Sequence, residues 1–272
     1  MMTPFSSHYY EESSTFHGYI PNIMGTRLDL ILVEFPKNQS SLVWNNIVIE
    51  LERLHKMLNR FDATSELSRV NLKAKTNSVS VSNEMWEILE NCKHYYLITD
   101  NLFDITLDNL SKVNFDEKTK SIAFPSKDYS FDLGGYAKGY AIERIKKMLL
   151  DVKVKHALVN FGDSSIAAIG HHPFGDYWSV SIENPYKKGN ILKEVKLRDE
   201  DLSTSGNTTS HQKHIINPIT KEFNEHKKVV CVKSKNSIDA EVLTTTLMLA
   251  TTVQIERIKS NFKIEETIIF NL

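Results

Sequence analysis

The sequence predicts an α+β fold in a single domain, with antiparallel sheets packed against helices, and three observations carry that expectation. Helix-periodic stretches and strand-like stretches come in blocks along the 272 residues, where a βαβ fold would alternate them. No internal repeat, low-complexity tract or Pro/Gly/Ser-rich linker divides the chain. A 41% hydrophobic composition is enough for one sizeable core.

The elements follow in order. Residues 1–22 contain no sustained apolar periodicity and read as an N-terminal tail, which places the domain over 23–272. "TRLDLILVEF" at 26–35 is a β-branched and leucine-rich run, a buried strand. After Pro36, "SLVWNNIVIELERLHKMLNRF" at 41–61 places apolar residues three to four apart, an amphipathic helix. A second helix spans 82–99 with Ser82 as its N-cap, and a third starts just past Gly135 and runs to about Leu150. Short strand-like runs follow, "HALVNFG", "SIAAIG", "WSVSIEN", "ILKEVKLR", "HIINP" and "KVVCVKS", each bounded by Gly, Pro, Asn or charged turns. A helix at 238–251, a short helix and a terminal strand "ETIIFNL" complete the chain.

Charge and cysteines exclude several classes of function. Thirty-three Lys and Arg against 34 Asp and Glu leave no basic excess for nucleic acid. Cys92 and Cys231 form no CxxC pair, which argues against a zinc site or a disulfide framework. The first 25 residues lack a basic n-region and an apolar h-region, and no apolar run reaches membrane-span length. A soluble cytoplasmic protein is the expectation, or an extracytoplasmic one if a leader preceded residue 1.

Three of the ten glycines fall in "DLGGYAKGYA" at 132–141, at Gly134, Gly135 and Gly139. A Gly-Gly turn into a helix exposes unpaired N–H groups at a terminus carrying about half a positive charge, a ready site for an anion. Lys138 in the first turn adds a full charge there. The same residues also suit a tight strand-to-helix turn, with Gly139 packing against a neighbouring element. In "AEVLTTTL", Glu241 and Thr245 stand four apart and share one helix face. A carboxylate with a neutral oxygen is a part-set of hard ligands for Mg²⁺, which completes its octahedron with water and substrate phosphate. A helix N-terminal charge beside a buried threonine is the alternative. A phosphate cradle together with a magnesium pair points to a pyrophosphate ligand.

These blocks resemble those of the FAD:protein FMN transferases, the ApbE-type flavin transferases. The similarity runs collinearly from "MGT" at 24–26 through "RFDATSELSRVN" at 60–71, "LFDIT" at 102–106, "DLGGYAKGYAIE" at 132–143 and "LVNFGDSS" at 158–165. It continues with "WSVSIENP" at 178–185, "LSTSGN" at 202–207, "HIINPIT" at 214–220 and "AEVLTTTL" at 240–247. The resemblance implies a T-fold-like domain and a reaction. FAD binds with Mg²⁺, a Thr or Ser hydroxyl of an acceptor flavoprotein attacks the FMN-side phosphorus, and AMP leaves. A non-catalytic FAD or adenine-nucleotide-binding paralogue and an FAD pyrophosphatase are the alternatives.

Roles carry over by position. Met24 and Thr26 would line the flavin pocket, and Gly134, Gly135 and Lys138 would lie against the pyrophosphate. Asn160, Gly162, Thr204, Ser205 and Gly206 would complete the cofactor site. The metal would be held by Glu241, Thr245 and the carbonyl of Ala137. His214 would be a general base or orient the acceptor, or else a strand-start histidine with a structural hydrogen bond.

Four positions depart from the family pattern: Glu241 for an Asp, Asp163 for the second glycine of N-x-G-G, Asn217 for the Asp of I-I-D-P, and Lys221 for a following glycine. Facing the cofactor phosphates, Asp163 would add a repelling charge and a Cβ. Only 25 residues separate Thr106 from Asp132, a short connection near the acceptor side.

Overall fold

A computed structural model describes residues 4–207 and 215–272. Thirteen strands and six helices are named here in chain order. The first part holds β1 (Ser6–Tyr10), β2 (Thr15–Ile23), β3 (Thr26–Val33), α1 (Lys37–Leu58), α2 (Glu66–Lys73), β4 (Val79–Ser80) and α3 (Asn83–Ile98). Next come β5 (Asn114–Asp116), β6 (Ser121–Ala123), α4 (Ala137–Asp151), β7 (His156–Phe161), β8 (Ser165–Ile169), β9 (Trp178–Glu183) and β10 (Ile191–Leu197). The chain closes with β11 (Asp201–Gly206), β12 (Lys228–Ser234), α5 (Ser237–Leu249), α6 (Thr252–Lys259) and β13 (Ile264–Asn271).

An eight-stranded sheet in the order β1-β2-β3-β7-β8-β11-β12-β13 forms the backbone of the fold, and every pairing in it is antiparallel. Its strands alternate by face. Leu28, Leu30 and Leu32 of β3 point to α1 and α4, where Trp44, Ile47, Leu51, Ile142 and Ile145 close one core. Further along the same face, Val230 and Val232 of β12 pack on Leu243 and Leu247 of α5. Val229 and Cys231 point the other way, to a cluster that includes Trp178 and Val195 of the separate β9–β10 hairpin. α2, α3 and the three-stranded sheet β4-β6-β5 enclose a further core with Phe131 and Tyr136.

The α+β expectation stands, and so do the strand at 26–35 and all four longer helices, with ends shifted by a few residues. The tail expected over residues 1–22 is corrected. Residues 6–10 and 15–23 are β1 and β2, two antiparallel strands at the sheet's edge. Phe16, Gly18 and Ile20 are buried while Thr15, His17 and Tyr19 are half-exposed, a period-two pattern hidden because its apolar members are sparse. "HIINP" is also corrected over its described part: residues 215–218 contribute one isolated bridge, Ile216 to Phe223, and no strand. "DLSTSG" is β11, a strand whose polar side chains conceal its period.

Candidate active site

Two cavities open on the turn that feeds α4. The larger, about 600 Å³, is walled by the 102–107 loop, the turn at 134–138, the β7–β8 connection, the end of β11, Ile215 and Ile216, and α5. The smaller, about 340 Å³, lies between the β2–β3 turn, the 58–61 segment that follows α1, and the 132–137 turn. Both share Asp132 and Gly134. Each volume falls in the range of small-molecule sites.

The shared wall carries the start of α4. Tyr136 at the N-cap of α4 makes no side-chain capping bond, so the helix opens without the partner that Ser65, Ser82, Asn236 and Thr251 give α2, α3, α5 and α6. Asp132 would repel a phosphate, but it faces Arg60 at 3.1 Å and accepts the N–H of Gly134 at 2.8 Å. Gly135 faces the larger cavity near Thr245 of α5; a Cβ there would lie 3.5 Å from the Thr245 Oγ1. Gly139 does something different. A Cβ on it would meet the Ser237 carbonyl oxygen at 2.7 Å and the Glu241 Cβ at 3.0 Å, so its absence lets α4 and α5 touch. That contact sets Lys138 against Glu241.

Glu241 is 5% exposed yet lines the larger cavity. Its Oε1 accepts from the Lys138 ammonium, and its Oε2 accepts from Ser165 Oγ at 2.5 Å and Ser203 Oγ at 3.2 Å. Ser205 extends the network by donating to Thr244 Oγ1 at 3.0 Å, beside Ser203. Thr245 Oγ1 donates to the Glu241 backbone carbonyl at 3.3 Å, which aligns the two side chains one turn apart on α5. The donors around this carboxylate are hard oxygens, and an ammonium stands beside it as a resident cation; that chemistry fits Mg²⁺. Among the described residues no cluster of three or more His, Cys, Asp or Glu accompanies it.

Eleven of the expected site residues line one cavity or the other. Gly134, Gly135, Lys138, Gly162, Thr204, Ser205, Gly206, Glu241 and Thr245 line the larger cavity, and Met24 lines the smaller one, as does Ala137. Met24 and Gly25 take φ of +51° and +85° in the two-residue β2–β3 turn, and the Met24 N–H reaches His55 Nδ1 at 3.3 Å. Thr26 sits behind the wall. Gly162 has φ +68°, and a Cβ on it would fall 2.4 Å from Thr26 Oγ1, so threonine and glycine fit only each other's shape. Asn160 does not face either cavity: its amide donates to Asp163 Oδ1 and accepts the Asp163 N–H, and so builds the β7–β8 turn. His214 lies outside the described residues.

A sequence match decides the family. A profile of the ApbE family matches residues 24–127 and 107–267. The chain belongs to the ApbE family. Its relatives include a FAD:protein FMN transferase of Klebsiella pneumoniae, 22% identical over 85% of this chain and 81% of that protein. Another FAD:protein FMN transferase, from Rhodobacter capsulatus, is 32% identical over 44% of this chain and 24% of that protein. Among solved structures, the flavin transferase ApbE of Vibrio cholerae superposes with a TM-score of 0.78 at 18% identity, over 95% of this chain and 92% of that one. The apo flavinyl transferase ApbE of Pseudomonas stutzeri gives 0.76 at 19% identity, over 95% and 88%. The fold is therefore the ApbE fold.

Against this ApbE frame the departures take on physical meaning. Asp163 is not among the residues lining the cavity: its Oδ1 pairs with Arg27 Nη2 at 2.7 Å, and its φ of +58° is held by Asn160, so its charge meets a guanidinium. Asn217 anchors a turn by accepting the N–H groups of Ile219 and Thr220. Lys221 keeps the left-handed φ, +65°, of a glycine, and its ammonium reaches the Leu107 carbonyl at 2.9 Å and Asp108 at 2.7 Å. Residues the sequence reading did not assign also enter the site. Arg60 neutralises Asp132, Ser165 and Ser203 hold Glu241, and Phe103 and Ile105 supply apolar wall. Ser203 lies two residues before Ser205 on one strand, so period two alone puts both on one face.

Proposed function

We propose that this protein transfers FMN from FAD to a Thr or Ser hydroxyl of an acceptor flavoprotein, with Mg²⁺, releasing AMP. The observation that carries the reading is the pair of cavities meeting at Gly134 beside the uncapped start of α4. FAD is two nucleotide halves joined by a pyrophosphate. Its halves suit two chambers, and its charged centre suits the helix terminus between them. Family membership and relatives named for this activity support the same assignment.

The chain's own groups have defined tasks in it. The N–H groups of Tyr136 and Ala137 turn back to the Leu133 carbonyl, so the later N–H groups of the first turn of α4 and the Lys138 ammonium bind the pyrophosphate and hold its phosphorus for in-line attack. Positioning and charge neutralisation are most of what phosphoryl transfer asks of a protein. Arg60 keeps the Asp132 charge from opposing that binding. Glu241, Thr245 and the Ala137 carbonyl would hold the metal, which supplies neutralisation of charge on the phosphate oxygens. His214 would take the proton from the acceptor hydroxyl as its oxygen bonds to the FMN-side phosphorus and the bond to the AMP phosphate oxygen breaks.

Intact mass of a flavin-acceptor domain incubated with the protein, FAD and Mg²⁺ tests this. A gain equal to phosphoester-linked FMN, lost with EDTA, is expected. Conversion of FAD to free FMN and AMP without labelling would make the protein a pyrophosphatase. Binding of FAD with neither product would make it a binding paralogue.

A further inference from the structure

We infer that Lys138 is an exchangeable counterion: it occupies the cation position at Glu241 when the pyrophosphate site is empty and leaves it when that site fills. The inference rests on the proposed reading of the site and concerns its regulation, the order and coupling with which cation and dinucleotide bind.

Three observations carry it. Glu241 presents its two oxygens unequally. Oε2 is fixed by Ser165 and Ser203, both 3% exposed, whereas Oε1 meets only the Lys138 ammonium among the described residues. Oε1 is thus the oxygen with which a divalent cation would bind, and the ammonium is already there. Among the described residues the Lys138 ammonium has one hydrogen-bond partner, and its side chain, 20% exposed, lines the larger cavity. Its neighbour on the same helix, Lys146, is held by Glu143, Asp201 and the Lys235 carbonyl. Finally, Lys138 springs from the first turn of α4, whose N–H groups have no side-chain cap. The two stations of the ammonium, Oε1 and the mouth of the anion site, therefore lie within reach of one flexible side chain.

A consequence follows from charge alone. Two cations cannot share Oε1 closely, so a divalent ion binds the ligand-free protein in competition with Lys138. A pyrophosphate at the helix terminus draws the ammonium away and uncovers the carboxylate. Dinucleotide and metal then bind with positive coupling, which by linkage is reciprocal. The empty protein keeps its buried acid neutralised without metal, and the full cation site assembles only with substrate present.

The test is Mn²⁺ binding, read by the free-ion electron paramagnetic resonance signal, without FAD. The wild-type protein is expected to bind weakly. Lys138→Gln, which removes the competitor, is expected to bind Mn²⁺ about tenfold or more tightly, within the usual range of coupling. Glu241→Gln should lose binding in either background. Thermal unfolding guards against a misfolded variant: Mn²⁺ should raise the Tm of Lys138→Gln more than that of wild type, because only the folded state binds. Lys138→Arg, which keeps a cation, should stay as weak as wild type. Equal or weaker Mn²⁺ binding by Lys138→Gln overturns the exchange while leaving flavin transfer standing. No Mn²⁺ binding by any form, even with FAD, overturns the metal assignment and the exchange together.

Discussion

Two of the three lysines of helix α4, Lys138 and Lys146, stand about two turns apart, and each meets a buried carboxylate. At the open end Lys138 pairs with Glu241 of α5; at the closed end Lys146 pairs with Asp201 of β11 at 2.5 Å. The pairs look alike in sequence and differ in surroundings. Glu241 lines a cavity. Asp201 is 1% exposed, accepts Ser237 Oγ as well as Lys146, and has no hydrogen-bond partner at Oδ1 among the described residues. Burial pushes Asp201 up to about 7, only partly offset by Lys146 and Ser237. Burial works to lower Lys146, yet the charges and hydrogen bonds of Asp201 and Glu143 hold it above its ordinary value. One pair can exchange partners with solvent and ligand. The other ties α4, α5 and the strand carrying Thr204–Gly206 into one unit.

The largest expected effect separates the pairs by activity. Glu241→Ala should lower Mg²⁺-dependent FMN transfer by about a thousandfold, because a metal contributes several kcal/mol to such a step. Glu241→Asp should retain or raise it. Wild-type turnover by Glu241→Ala, measured with the acceptor-mass assay, would remove Glu241 from the metal site.

Stability separates them next. Lys146→Ala leaves Asp201 buried without its ammonium, which costs about 3–5 kcal/mol at pH 8. The sign with pH is fixed. Asp201 is raised in the fold above the unfolded 3.8, so its contribution is full below 3.8 and is lost as pH rises through about 7. Without Lys146 that loss steepens, and the variant should be less impaired at pH 5 than at pH 8 in urea unfolding. An equal deficit at both pH values would mean that Asp201 does not titrate in this range.

A smaller effect tests what brings the open pair together. Gly139→Ala forces α4 away from α5, since the Ser237 carbonyl lies 2.7 Å from the new Cβ, and should cost about 1–3 kcal/mol. It should also weaken FAD binding by displacing Lys138. The smallest is Lys221→Gly. Its loss of an exposed ion pair and relief of a left-handed φ each amount to about 1 kcal/mol or less and oppose one another. Urea midpoints within error of wild type are expected, and a large shift would make this loop part of the core.

Much of the site was legible because its chemistry is local. Gly134, Gly135 and Lys138 adjoin within a single turn, and Glu241 and Thr245 share a helix face by spacing alone. What was not legible depends on partners far away in sequence. Nothing adjacent to Asp163 reveals that Arg27 takes its charge, or that Ser165 and Ser203 converge on Glu241 across 76 and 38 positions. The tail reading failed where a strand's apolar positions were few, since β2 buries only alternate residues on one face and needs little more.

By itself the sequence determined the α+β class, the long helices, the glycine turn into α4 and the membership in the ApbE family, because periodicity, turn residues and collinear motifs are properties of neighbours along the chain. Only the tertiary structure decided that two similar lysine–carboxylate pairs have different uses. Exposure and competing partners set the worth of a charge, and both are properties of neighbours in space.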